Sequence, residues 1–286
     1  MSSMIIPIEN LTWKELDSME RAKTVILVPI APLEQHGPHL PIGTDFLESK
    51  FITERVGQRI IREMSNYNIL IYPPIPVGTG TLDKTGSIEF KAKTVKNIIY
   101  DLGQSLAVYD FRHIIILACH GAPTFAVAIE EACEEINQQY GDIIFSPMGY
   151  YLSLIFGGGV EGVPEELRLI MEKFPKDWHA GYGETSMMLN INENLVKKDY
   201  KNYEPIEVNV IKLADRKVVD KQGKGIGYFG YPAKSSKELG KLMLDSTIEI
   251  LTKMSIEFIK RKNYKQYMHT LYWNLPNFRT NQNEKQ

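Results

Sequence analysis

The chain has 286 residues, with 33 Lys and Arg against 35 Asp and Glu, six His and two Cys. At 43% hydrophobic and 24% charged residues it has the composition of a globular protein with a large core, which excludes disordered, collagen-like and disulfide-stapled classes. A net charge of -2 excludes a dedicated binder of phosphate backbones, which needs a clustered excess of Lys and Arg, so no nucleic acid partner is expected.

Residues 1–10 hold no basic stretch leading into a long apolar run, so no secretory signal is expected. No apolar run approaches the ~20 residues that span a bilayer, so no membrane partner is expected and the chain is read as cytoplasmic. Thr24–Ile30 (TVILVPI) is a continuous β-branched apolar run, the pattern of a strand covered on both faces. Residues 68–76 and 113–119 repeat it, and helical patterns over 45–63, 93–109 and 124–138 lie between and after them. Strands alternating with helices predict an α/β fold, a three-layer α/β/α arrangement around a mostly parallel sheet. Cys119 and Cys133 lack CxxC spacing and are read as buried thiols.

Gly157-Gly158-Gly159 predicts a flexible loop with the room to act as a lid, followed by a helix over 164–173 with Pro164 in its first turn. Ser235 and Glu238 have capping-box spacing ahead of a long helix reaching about Arg261. No Ser/Gly-rich linker divides the chain. We therefore expect one domain over residues 1–262, and a polar, aromatic tail over 263–286 that docks on that domain or on a neighbouring subunit.

The densest cluster of polar ligands follows the first buried strand. In an extended segment residues two apart share a side, so Glu34 and His36 converge while Gln35 faces away. Gly37, Pro38, Pro41 and Gly43 then turn the chain and can return Asp45 to the same place. His120 ends the third strand, and ligands gather at the carboxyl ends of parallel strands. Further on, Gly181 and Gly183 let the backbone bring His179 and Glu184 toward a common centre. Each cluster alone also fits a polar surface turn or a carboxylate that complements a helix N-terminus.

Together these segments carry a resemblance. VPIAPLEQHGPHLPIGTD (Val28 to Asp45), His120-Gly121, HAGYGETSMML (His179 to Leu189) and GYPAKSSKELGKLML (Gly230 to Leu244) resemble, in that order, the creatininase family. Its members hydrolyse creatinine, formamidopyrimidines, cyclic ketones of inositol catabolism and a precursor peptide. The resemblance spans roughly residues 5–260. It implies two divalent metal ions, Zn and/or Mn, at the strand ends: Glu34 and His120 on one, His36 and Glu184 on the other, and Asp45 bridging. His179 is implied as the catalytic proton carrier, and a hydroxide bridging the metals as the nucleophile. Two dications against three carboxylates and one hydroxide make a neutral site.

The resemblance further implies a small-molecule substrate and a homo-oligomer, a hexamer in that family. The implied activity is a metal-dependent hydrolase of a small cyclic amide, formamide or related carbonyl compound. A ring-opening hydrolase of a cyclic polyol ketone and a catalytically silent metal-binding scaffold are the alternatives. Two departures argue against creatinine itself. The segment around the strand-end histidine reads Ala118-Cys119-His120-Gly121-Ala122-Pro123, without the family's Asn side chains or creatininase's local carboxylate. The stretch Gly78 to Ser87 is shortened and lacks the usual histidine. Asp83, Lys84 and Trp178 are open as pocket residues. Gly225, Gly227 and Gly230 match the spacing of a dinucleotide fingerprint, but no buried strand leads into them, so no nucleotide cofactor is expected.

Overall fold

The computed structural model describes residues 5–156, 162–208 and 224–280. The continuous apolar runs form the middle of a parallel sheet, in which β2 (Thr24–Ile30) and β4 (Ile114–Ala118) are buried at every position. β3 is Asn68–Ile71, and two short strands that the pattern did not reveal, β1 (Ile5–Pro7) and β5 (Ile144–Phe145), complete it. The order is β1-β3-β2-β4-β5, with Val28 opposite Ile116 and Ile30 opposite Ala118. β3 stops at Ile71, short of the expected residue 76. Pro73, Pro74 and Pro76 have no N–H for a ladder, and Ile75 alone bridges back to Ile30.

The described helices are α1 (Trp13–Asp17), α2 (Thr44–Glu63), α3 (Ala92–Val108), α4 (Pro123–Tyr140), α5 (Met148–Phe156), α6 (Glu165–Lys173), α7 (Tyr182–Asn192) and α8 (Lys237–Ile259). From β2 the chain steps outward to β3, then back across β2 to β4 and on to β5. Right-handed crossovers in opposite directions place their helices on opposite faces. Accordingly α3 packs with α4, while α2 packs with α7 and α8. The chain leaves β2 toward one face and β4 toward the other, so the switch point lies between their carboxyl ends, the usual binding position in such sheets.

Two helix starts differ from expectation by one residue. Pro164 is the N-cap of α6 and lies just outside it. The cap of α8 is Ser236, whose Oγ accepts the Leu239 N–H at 3.1 Å. Ser235 is held by the preceding turn, with its hydroxyl donating to Pro232 O at 2.6 Å, so the Ser235–Glu238 box does not form. The expected glycine lid at 157–159 lies outside the described residues. No helix among the described residues is long and apolar enough to cross a membrane.

Residues 264–267 pack on α8, and residues 270–280 run along α4 and α5. Thr270 N–H donates to Glu130 Oε1 at 2.9 Å, Leu271 N–H to Ser153 Oγ at 3.0 Å, and Arg279 pairs with Glu131 at 3.2 Å. The Arg279 guanidinium also stacks 3.9 Å from the Trp273 ring. Burial pushes the Glu130 carboxyl up to about 8. For the α8 cap, Ser236→Ala is expected to destabilise the fold by about 1 kcal/mol in urea denaturation. Ser235→Ala should cost clearly less, and equal losses would contradict the assignment.

Candidate metal centre

The loop leaving β2 closes on itself, with Glu34 N–H donating to Ile42 O at 2.8 Å. Gly37 turns it with φ +64°, a conformation that favours glycine. His36 Nδ1 then donates to Glu34 O at 3.0 Å, which fixes the ring and aims Nε2 at Asp45 Oδ1, 3.1 Å away. A backbone carbonyl on the far nitrogen is the usual way to orient a ligating imidazole. Asp45 lies in the first turn of α2. Its other oxygen, Oδ2, is 3.0 Å from His120 Nδ1 at the end of β4. One buried carboxylate thus touches two histidines through separate oxygens.

Glu34 and Glu184 close the two ends. Glu34 Oε1 accepts the Leu82 N–H at 2.6 Å, while Oε2 lies 3.2 Å from His120 Nδ1 and has no hydrogen-bond partner. Glu184, in the first turn of α7, puts Oε2 3.7 Å from His36 Nε2 and accepts the Ala180 N–H on the same oxygen. All five residues named from the sequence therefore meet. Their donor atoms form the groups Glu34–Asp45–His120 and His36–Asp45–Glu184, each within 4.8 Å, with Asp45 common to both.

His179 joins the same cluster and makes a third group with Glu34 and His36. Its ring lies 4.2 Å from that of His36. Its Nε2 is 2.7 Å from Gln35 O and 3.3 Å from Gln35 Nε2. The shorter contact requires a proton on His179 Nε2, donated to the carbonyl. Gln35 does not turn away as alternation predicted: the segment is not a strand, and the Gln35 side chain folds back to accept the Gly37 N–H at 3.0 Å.

Asp177 holds this corner together. It accepts the N–H groups of Tyr182 (2.8 Å), Gly183 (2.9 Å) and Tyr231 (3.0 Å), and burial pushes its carboxyl up to about 7. A Cβ on Gly181 would sit 1.9 Å from Asp177 Oδ1, so α7 approaches this closely only because that residue is glycine. The late glycines have the same cause: a Cβ on Gly227 would meet Gln35 Oε1 at 2.1 Å. Lys84 donates to Gly225 O, Asp83 is exposed, and Trp178 packs on the cluster containing Leu40, Ala180 and Phe229.

Sequence reasoning missed the Leu82 N–H, the Gln35 carbonyl, the bracing by Asp177, and Glu48. Backbone groups leave no residue-type signal. Glu48 did leave one, because it stands three residues after Asp45 on a predicted helix and so shares its face.

Two imidazoles and three carboxylates, oxygen and nitrogen donors without thiolate, suit divalent zinc or manganese. Without metal, protons on the imidazoles offset part of the carboxylate charge. Burial acts to lower the His36 and His120 pKa values, and the adjacent carboxylates overcome it, raising His36 well above its ordinary value and His120 to about 9. Burial opposes ionisation of Asp45 and Glu184, yet the histidines hold both carboxyls below the ordinary range. A cation entering either group must displace a proton from imidazole. Divalent metal affinity should therefore rise with pH from 6 toward 9 and then level off. Calorimetry in buffers of different ionisation heat should show proton release at pH 7, and a flat affinity with no release would refute this electrostatic account.

A family model described as creatinine amidohydrolase (creatininase) matches residues 9–255. A mycofactocin precursor peptide peptidase from Mycobacterium ulcerans is 26% identical over 178 residues, 61% of each chain. Creatinine amidohydrolase from Pseudomonas putida is 23% identical over 210 residues, 66% of this chain and 73% of that one. The match thus spans under two thirds of the first relative. Among solved structures, a putative creatinine amidohydrolase from Bacteroides fragilis has a TM-score of 0.67 at 22% identity, covering 92% of this chain and 100% of the other. A structure titled creatininase Mn has a TM-score of 0.65 at 20% identity, covering 90% and 99%. At these identities the structures show the shared fold, and the family model accounts for most of the sequence: the chain belongs to the creatininase family.

Proposed function

We propose that the chain is a metal-dependent hydrolase acting on a small cyclic amide, formamide or related carbonyl compound. The observation that carries this reading is Asp45, whose two oxygens address His36 and His120 separately. In this reading Glu34 and His120 hold one divalent cation, His36 and Glu184 the other, and Asp45 joins them. Zinc and manganese both fit the donors. Bound there, such a pair would acidify a water and polarise a substrate carbonyl.

The protein's own groups supply the rest. Leu82 N–H holds Glu34 Oε1 and leaves Oε2 turned into the centre. His36 is kept in one orientation by Glu34 O, and Glu184 by Ala180 N–H. His179 carries its proton at Nε2 against the Gln35 carbonyl, beside the centre. On taking up the proton that an attacking water loses, His179 would pass a proton to the substrate nitrogen as it leaves and end as the neutral imidazole it began as. The stretch from Gly78 to Ser87, drawn to the centre through Leu82 and tied to Gly225 through Lys84, shapes the mouth. Its sequence, with Ala122 and Pro123 beside His120, argues for a substrate other than creatinine.

Family resemblance adds a cytoplasmic homo-oligomer, a hexamer, as part of the proposal. The contacts of Thr270 and Arg279 with α4 support a tail that docks on its own domain. His179→Ala should lower turnover about 10²–10⁴-fold while both metals are retained. Elemental analysis beside a turnover screen of creatinine, other lactams, formamidopyrimidines and dehydro-inositols makes the measurement. Release of an amine supports the C–N reading, ring opening without an amine replaces it, and full activity in His179→Ala removes that residue from the chemistry.

A further inference from the structure

Among the described residues, Glu48 is a buried carboxyl near the centre that neither the ligand groups nor the hydrogen-bond network uses. It stands three residues after Asp45 on α2, so both side chains leave the same face of the helix. It is 4% exposed, its Oε1 has no hydrogen-bond partner, and among the described residues no Lys or Arg pairs with it. Its carboxyl is close enough to interact electrostatically with Glu184, Asp45 and His36, and with the Cys119 thiol and the Tyr151 hydroxyl. A buried carboxyl without a partner is costly, and a core position would be filled better by an apolar side chain.

We propose that Glu48 is a further metal ligand, which turns onto the cation held by His36, Asp45 and Glu184. The inference rests on the reading above that a cation binds there. In the described conformation Glu48 lies outside the 4.8 Å groups, so loading requires its side chain to turn toward them. With Glu48 that position offers three carboxylates and one imidazole. The other position, with Glu34, Asp45 and His120, offers two carboxylates and one imidazole. The added oxygen ligand makes the two positions unlike and favours a harder, higher-coordinate ion such as manganese at the His36 position.

The test is calorimetric titration of the metal-free full-length chain with Mn²⁺ and, separately, with Zn²⁺, comparing the unaltered protein with Glu48→Gln and Glu48→Leu. Electron paramagnetic resonance of the Mn²⁺ forms reports coordination directly. We expect the unaltered protein to take two ions, and both variants to lose at least about tenfold in Mn²⁺ affinity at one position with little change at the other. Zn²⁺ should be affected less than Mn²⁺, and the Mn²⁺ spectrum should change. Melting of the metal-free variants serves as the folding control, and removal of a buried acid should leave it unchanged or raised. Unchanged affinities and spectra in Glu48→Leu overturn the proposal while leaving the two-metal reading intact. Equal weakening at both positions together with a lower melting temperature assigns Glu48 a packing role and overturns it too. If the unaltered protein takes no metal, the reading beneath the proposal fails and the proposal falls with it.

Discussion

The carboxylate of Asp45 is the constraint around which the centre is arranged. It is 3% exposed and sits between two imidazoles with one oxygen committed to each. A charge so placed persists only if its partners hold position, and each partner comes from a different part of the chain: His36 from the loop after β2, His120 from the end of β4. The adjacency of β2 and β4 is therefore what brings the two histidines within reach of one side chain. The first turn of α2 supplies the third point, and the positive end of that helix favours the charge on Asp45. The split of the chain onto opposite faces after β2 and β4 keeps the helices from covering the space between.

Supporting groups around Asp45 are polar and buried, and most are satisfied by backbone. Ser49 donates to Leu117 O, Asp177 takes three amides, and His39 meets Thr185 at 2.9 Å with its pKa lowered to about 4 by burial and by His36. Such a network fixes side chains in one arrangement, because any slip strands a buried donor or acceptor. Ala180, with φ +49°, is a local cost of the same kind: an L-residue in the left-handed region, held where its N–H meets Glu184. Rigidity of this sort suits a centre whose donor atoms must hold fixed positions to bind a metal ion.

How much of this was legible in the sequence follows from which signals are periodic. The runs at 24–30 and 113–119 announced buried strands, because only a strand covered on both faces tolerates so many consecutive β-branched residues. β1 and β5, three and two residues long, are too short to carry a period and owe their place to pairing with β3 and β4. Glu34, His36, Asp45, His120, His179 and Glu184 were legible as residue types at strand and helix ends, and the structure brings all six together. The Gln35 orientation was misjudged, since alternation holds only in a strand and Gly37 breaks it two residues later. The bracing by Asp177 was hidden because its partners are amides, which every residue possesses, and only the glycines at 181 and 183 hinted that something came close.

Fold and specificity also part company at a definable boundary. The groups that touch Asp45 lie on β2, β4, α2 and α7 or within a few residues of them, and their positions follow from sheet order and helix packing. The stretches 78–88 and 224–230 lie outside the sheet and the long helices, and among the described residues Lys84 joins them through the Gly225 carbonyl. A loop contact of this kind tolerates insertion, deletion and exchange of side chains at little cost to the core. Such loops can change while the sheet and the long helices stay, and relatives 23–26% identical to this chain bear names as different as a creatinine amidohydrolase and a peptide peptidase. Within the centre, the position least constrained by the fold is Glu48. It lies on the rigid face of α2, yet nothing in the sheet or helix packing requires a carboxyl there, so its chemistry is explained by what the centre binds.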